Sequence, residues 1–462
     1  PFGPWPSAPR IRGVVNGEPV TRNFKLQRIQ YLVQGRIGLS YNKTRVSKNG
    51  EHMKLLAPLL LIATIAKAGP LPSASPESVD MSPARLKRIV PIMQGYVDRG
   101  EVSGISTAVI RHGKIVHMES VGLRDIERKL PMTRDTIFRI YSMTKPVTSV
   151  AVMILYEEGK VELTDPISKY LPQFEGMKVY VSGAGDSVVL EDANPVPTIH
   201  DLLKHTSGLG YSFGGKTVVH SLYRAAKLWD KTLTLDQFVG KLADLPLWHQ
   251  PGTKWKYGRS TDVLGLLVQV VSGQPFERFL KERIFTPLEM VDTDFWVPAD
   301  KLDRFANIYR WTDDQTLQPF NEGDPPPFTL PTKNPQGGSG LVSTVDDYLR
   351  FCQMLLNGGV LNEQRILMPA TARFMLMDHL IPDQETAPGI GFGLGFSIVR
   401  NPARAGRMGS VGEAYWGGLA NTHFWIDPKE DLVYMVWTQL FRAKALGFIL
   451  QMNPLVHATL LK

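Results

Sequence analysis

The sequence predicts an α+β fold: an antiparallel sheet assembled from both ends of the chain and flanked by helices, with a mostly helical segment inserted between them. Two observations lead there. β-rich runs occur early, at 103–125, and return late in "GFGLGFSIVR" (391–400), "GLANTHFWID" (418–427) and "DLVYMVWTQL" (431–440). Between them, from 160 to about 330, the chain reads as helices and loops rich in Pro and Gly, such as "HQPGTKWKYG" and "NEGDPPPFTLP". Terminal segments that meet in one sheet explain this order. No internal repeat competes with it.

The elements follow in chain order. In 103–125 two strand-like runs are parted by "RHGK", a hairpin signal. Residues 142–158 read as a helix, because Val147, Val150, Ala151, Ile154 and Leu155 form one apolar stripe and Gly159 stops it. Pro146 falls in the first turn, where its missing N–H is not needed. "TVDDYLRFCQMLLNGG" (344–359) reads as a second helix, with Asp346 in its first turn and Gly358 at its end. The apolar segment 443–461 reads as a final helix. Cys352 is the sole cysteine, so no intramolecular disulfide can form, and its helical neighbours make it a buried structural thiol.

Composition narrows the function. The chain has 462 residues, 43% hydrophobic and 21% charged, as in ordinary globular enzymes. Its net charge of +8 suggests a nucleic-acid binder until the charge is located. Residues 1–68 hold eleven Lys or Arg against two acids, whereas the remainder holds 41 against 42. The body is near neutral and has no electrostatic footprint for phosphate backbones.

The basic front also looks separate from the fold. From Met53, Lys54 precedes a twelve-residue apolar run, Leu55 to Ala66, and Ala66-Lys67-Ala68 supplies the small residues of a cleavage site. The run falls short of the roughly 20 residues that span a bilayer. Residues 53–68 are thus expected to be a signal peptide, 1–52 a non-native upstream leader, and 69–462 the mature domain, periplasmic or secreted. Its sheet part is expected at about 75–141 and 331–462, its helical part at about 142–330. No membrane span is expected.

The chemistry centres on "YSMTKPVTS" (141–149), in which Ser142 and Lys145 stand at i and i+3. If Ser142 opens the helix, both side chains share one face. A serine hydroxyl is a poor nucleophile without a neighbouring base, and lysine serves as one only if burial or a nearby cation lowers its pKa. The helix macrodipole would favour neutral lysine and a developing alkoxide. The Ser142 amide could be one oxyanion donor. The S-x-x-K pattern alone is weak, since it also occurs by chance as "SYNK" at Ser40 to Lys43.

The wider context is more specific. "TIFRIYSMTKPVTSVAVMILYEEGKVELTDPISKYLPQF" resembles the serine β-lactamase and penicillin-binding superfamily, within it the branch of class C β-lactamases and family VIII carboxylesterases. The resemblance continues through "LLKHTSGLGY" (202–211), "PLWHQPGTKWKYGRSTDVLG" (246–265), "GGSGLVSTVDDYLRFCQMLLNGG" (337–359) and "GSVGEAYWGGLANTHFWIDP" (409–428), and so covers most of 75–462. It implies a serine β-lactamase-like fold with Ser142 as the acylated nucleophile, Lys145 as its partner and Tyr257 as the second-motif tyrosine. Lys145 and Tyr257 would titrate as a coupled pair, either serving as the base.

Two departures from β-lactamases matter. The third motif, normally a cation followed by Thr or Ser and Gly, reads Trp416-Gly417-Gly418 here, and the usual Asn two residues after the tyrosine is Arg259. Trp-Gly-Gly is the pattern that the resemblance to family VIII esterases implies at this place. Trp416 offers apolar contact to an acyl or alcohol group, the paired glycines let backbone approach substrate, and the Leu419 amide is expected to be the second oxyanion donor. The G-x-S-x-G signature of α/β-hydrolases is absent, so no triad histidine is needed, and His205 is expected to be structural. No compact metal or nucleotide motif appears, and neither metal nor cofactor is expected.

The expectation is a carboxylesterase acting on short- to medium-chain esters through a serine acyl-enzyme. A β-lactamase, D-amino-acid peptidase, amidase or acyltransferase on the same site stays open, as does a peptidoglycan-binding relative that acylates without turnover.

Overall fold

The computed structural model describes residues 71–314, 316–320, 323, 327–441 and 447–462. The expected leader and signal peptide, and "SYNK", lie outside them. Eight strands form the main sheet: β1 (Gly104–Arg111), β2 (Lys114–Asp125), β3 (Leu130–Pro131), β4 (Ile390–Phe392), β5 (Ser397–Val399), β6 (Ala414–Gly417), β7 (Thr422–Asp427) and β8 (Leu432–Trp437). Their order is β4-β5-β6-β7-β8-β1-β2-β3, with every neighbouring pair antiparallel. The two ends of the chain therefore meet at the β8–β1 pair, with Ser106 opposite Trp437 and Arg111 opposite Leu432.

The β1–β2 hairpin turns at His112 and Gly113, both with positive φ (50° and 71°), the backbone a two-residue hairpin needs. Both sheet faces are covered, and the strand pattern shows it. In β8, Val433, Met435 and Trp437 join one apolar cluster, while Leu432, Tyr434 and Val436 join another on the opposite face. The first face carries helices α2 (Thr144–Glu157), α3 (Ser260–Ser272) and α4 (Val345–Leu356). The second carries α1 (Ile89–Asp98) and α5 (Gly447–His457). None of the helices among the described residues is long and apolar enough to cross a membrane.

Several elements differ from the sequence reading for local reasons. Ser142 does not sit in α2 itself; it lies in a 3-10 turn, Tyr141–Met143, that runs directly into the helix. The run 391–400 divides into β4 and β5 about a turn, and 418–421 is a turn before β7, because Gly418 accepts the Asn421 amide. Residues 442–446 of the expected last helix lie outside the described residues. The stretch from 160 to 330 holds two small hairpins, Lys178–Ser182 with Val189–Asp192 and Tyr309–Trp311 with Leu317–Pro319, besides its helices. Cys352 lies buried in α4, and burial pushes its thiol well above the usual range.

α2 is the hub: every side chain from Thr144 to Leu155 is buried. Its preceding strand segment is locked by Gln439, whose side-chain amide accepts from the Arg139 N–H at 3.1 Å and donates to the Arg139 carbonyl at 3.1 Å. Trp437 closes the core beneath, edge-on to Phe138 (5.4 Å) and Tyr348 (5.8 Å). Trp437→Ala is expected to cost about 3–5 kcal/mol through the cavity it leaves. Urea unfolding followed by fluorescence and circular dichroism would read the lowered midpoint.

Candidate active site

The site forms where the N-terminal turn before α2 meets three other segments. Tyr141 adopts positive φ (40°), an unfavourable backbone for a bulky residue, immediately before Ser142. The turn is pinned from several sides. Tyr348 on α4 donates to the Met143 carbonyl at 2.8 Å, and the Thr144 hydroxyl accepts from the Leu341 N–H at 3.0 Å. One turn on, Thr148 donates to the Gly337 carbonyl at 2.7 Å.

Lys145 is fully buried. Its ammonium donates to the Gly338 carbonyl (2.7 Å), the Tyr211 hydroxyl (3.1 Å) and the Ser142 hydroxyl (3.4 Å), and it lies 4.6 Å from the Tyr257 ring centre. Burial opposes its charge. The oxygens of Tyr211 and Tyr257 and the Asp262 carboxylate outweigh that penalty, so its value lies above the usual lysine range. The direction is opposite to the lowering that Lys145 would need to serve as the base. Three N–H groups directed at three acceptors are the geometry of an ammonium. Burial pushes Tyr211 up to about 12, against the pull of Lys145.

The Gly338 carbonyl is held in turn. Its own N–H donates to Asp262 Oδ1 at 2.9 Å. Asp262, on α3 and fully buried, pairs with Arg259 at 3.2 Å. Arg259 also donates to Gln336 (3.4 Å) and lies over the Tyr211 ring, 4.9 Å from its centre. The residue that replaces the usual Asn thus engages Asp262, Gln336 and Tyr211 and braces the cage of Lys145.

Aromatic rings line the rest. Trp416 on β6 meets Tyr257 at 5.2 Å and Phe392 at 5.3 Å, and Tyr211 stacks on Phe213 at 4.6 Å. The Tyr257 hydroxyl and the Trp416 indole N–H are buried without a hydrogen-bond partner among the described residues. His205, fully buried with positive φ (59°), packs 5.0 Å from Tyr257. Burial, then the Lys145 charge, hold its imidazole well below the usual range, so it stays neutral.

The structure therefore brings Ser142, Lys145, Tyr257 and Trp416 together. Gly417 and Gly418 close the β6 end, but their missing side chains face protein. A Cβ on Gly417 would strike the His423 ring, and one on Gly418 would strike the Thr422 hydroxyl and the Ile140 carbonyl. The close approach of strand to Ser142 turn demands glycine at 418. The Leu419 amide makes no backbone hydrogen bond among the described residues, and its side chain packs beside Tyr141, Ile308 and Ala420. No group of three metal-ligating side chains lies at Ser142 among the described residues.

Sequence reasoning missed Tyr211, Gly338 and the Arg259–Asp262 pair. Tyr211 ends the quoted segment "LLKHTSGLGY", and Asp262 falls on the α3 turn after Tyr257, one turn beyond Gly258. Spacing from a known tyrosine was the available signal for Asp262. Gly338 acts through its backbone, which no side-chain pattern reports.

Comparison with known proteins agrees with this geometry. The family described as Beta-lactamase matches residues 89–448. An uncharacterized protein of Mycobacterium tuberculosis is 38% identical over 353 residues, 74% of this chain and 87% of that protein. Esterase EstB of Burkholderia gladioli is 32% identical over 353 residues, 72% of this chain and 85% of EstB. The solved structure of EstCE1, described as a hydrolase with promiscuous acyltransferase activity, superposes with a TM-score of 0.70 at 28% identity, covering 81% of this chain and 99% of EstCE1.

Gly418→Ala is expected to push β6 off the Ser142 turn. Activity toward an ester substrate should fall at least about tenfold while circular dichroism stays unchanged. Unchanged kinetics would mean that the turn tolerates the displacement.

Proposed function

Because the chain belongs to the beta-lactamase family, we propose that it is a serine esterase of the family VIII kind, cleaving short- to medium-chain carboxylic esters through an acyl-enzyme on Ser142. The observation that carries this reading is the buried Lys145 ammonium bonded to the Ser142 hydroxyl beside the aromatic wall of Trp416, Tyr257 and Phe392, with an indole where β-lactamases place a cation. The identities with Esterase EstB and EstCE1 support it.

In this reading Ser142 Oγ attacks the ester carbonyl. Lys145, charged throughout, stabilises negative charge as it develops on Oγ. The Tyr257 oxygen takes the Ser142 proton while the Tyr257 hydroxyl proton passes to the departing alcohol oxygen as the ester C–O bond breaks, so Tyr257 ends as it began. The acyl-enzyme is then hydrolysed by water entering in reverse. The amides of Ser142 and Leu419 are proposed to hold the oxyanion, and Trp416 to contact the acyl or alcohol group. Export through the segment 53–68 belongs to the same proposal and places the enzyme in a periplasm or outside the cell.

Protein beginning at Gly69 and its Ser142→Ala variant should be assayed together on p-nitrophenyl butyrate and a chromogenic cephalosporin. Ester turnover that vanishes in the variant, with cephalosporin cleaved slowly or not at all, is the expected result. Faster cephalosporin cleavage would make the protein a β-lactamase despite Trp416. A stable adduct without turnover would make it a binding relative.

The pH profile offers a separate check. Lys145 is raised above the ordinary 10.5, so its active ammonium form persists from acid through neutral pH. No alkaline loss of kcat from Lys145 is therefore expected below pH 10.5. A rise in kcat that follows lysine deprotonation would instead identify neutral Lys145 as the base.

A further inference from the structure

On the sheet face covered by α1 and α5, away from Ser142, three ligating side chains converge from different elements. Glu413 directly precedes β6, Asp427 ends β7 and His457 ends α5. One ligand atom from each lies within 4.8 Å of the others. Glu413 and Asp427 are fully buried.

The environment of Glu413 is half complete. Its Oε1 accepts from the Tyr434 hydroxyl at 2.6 Å and from Arg407 at 2.9 Å. Its Oε2 is buried and accepts from nothing among the described residues. An unpaired carboxylate oxygen in the interior is costly. The space it faces is shared and shaped. Gly409 (φ 116°) packs against both atoms: a Cβ there would strike Glu413 Oε2 and lie 3.3 Å from His457 Nε2, so a larger residue at 409 would intrude between them.

Asp427 is similarly preset. Its Oδ2 accepts from the Ser410 N–H at 3.1 Å, and its Oδ1 accepts from the amides of Lys429 (3.1 Å) and Glu430 (3.3 Å). Oδ2, with a single donor, retains a second lone pair for a ligand. Around this core stand the supports expected of ligands: Arg407 and Tyr434 orient Glu413, and Asn453 donates to the Tyr434 hydroxyl at 2.9 Å.

We propose that Glu413, Asp427 and His457 bind a transition-metal dication of the Zn2+ or Mn2+ kind, which staples α5 to the sheet. An imidazole with two carboxylates suits these ions rather than Mg2+ or Ca2+, which prefer all-oxygen shells. Ligand bonds near 2.1 Å place tetrahedral ligand atoms roughly 3.4 Å apart, so the group contracts by about 1 Å on binding. The ion would satisfy the orphaned Glu413 oxygen. Arg407 keeps the other oxygen and offsets part of the charge of the two carboxylates. The sequence carries no compact metal signature because the ligands stand 14 and 30 residues apart.

The test uses tag-free protein, stripped with EDTA and dialysed against ZnCl2 or MnCl2. Bound metal is measured by plasma mass spectrometry and thermal unfolding by calorimetry. One equivalent of either metal and a Tm rise that EDTA reverses are expected. His457→Gln and Glu413→Gln should each weaken binding by about 100-fold or more. His457→Gln removes the 3.5 Å contact of Nε2 with the Tyr434 hydroxyl but keeps the Arg407 and Tyr434 bonds to Glu413, so it tests ligation even if Glu413→Gln fails to fold. Turnover of p-nitrophenyl butyrate should not change with metal. Absence of stoichiometric Zn2+ and Mn2+ in the wild type, or one equivalent retained by His457→Gln, would overturn the proposal.

Discussion

A buried ammonium organises this protein. Lys145 has no access to water, and moving a charge of that kind inside costs several kcal/mol unless every N–H finds an acceptor. Its three acceptors come from three parts of the chain: Ser142 from the turn before α2, Tyr211 from the loop after the Ile199–Leu203 helix, and the Gly338 carbonyl from the segment before α4. Asp262 on α3 fixes Gly338, and Arg259 fixes Asp262. Much of the scaffold near the site thus reads as the means of keeping one lysine charged and dry.

That requirement explains the local strain. Tyr141 pays for a left-handed backbone that places Ser142 within reach of Lys145, and Gln439 and Tyr348 hold the segment on either side. β6 must then pass so close to this turn that residue 418 has no room for a side chain. A β-strand and a helix start are both rigid elements, so Ser142 is positioned by packing.

What could be read from the sequence follows from how each feature is encoded. The hairpin at 112–113, the apolar stripe of α2 and the late strands are local patterns, and they were legible. The gathering of Ser142, Lys145 and Tyr257 in space was legible too, through motif context rather than spacing. The charge state of Lys145 was not. Burial alone argues for a neutral amine, and only the three-dimensional gathering of Tyr211, Tyr257 and Asp262 reverses that sign. The paired glycines were read as making room for substrate, yet their missing side chains face His423 and Ile140. A glycine says that something comes close; which group comes close depends on the tertiary fold. The Glu413, Asp427 and His457 group is invisible for the same reason, being assembled from a loop, a strand and the last helix.

The same charge accounting bears on which substrates the site can serve. A β-lactam brings a carboxylate, which must be paired when it leaves water. The three ammonium hydrogens of Lys145 already have acceptors. Arg259 is engaged by Asp262 and Gln336 and covers the Tyr211 ring. At the third motif, where a cation would meet the anion, stands the indole of Trp416 against Tyr257 and Phe392. A neutral ester makes no such demand: its oxyanion exists only in the transition state, where the Lys145 charge and backbone amides can act on it. Under the proposed mechanism, the preference for esters follows from committing Lys145 and Arg259 to the fold before any substrate arrives.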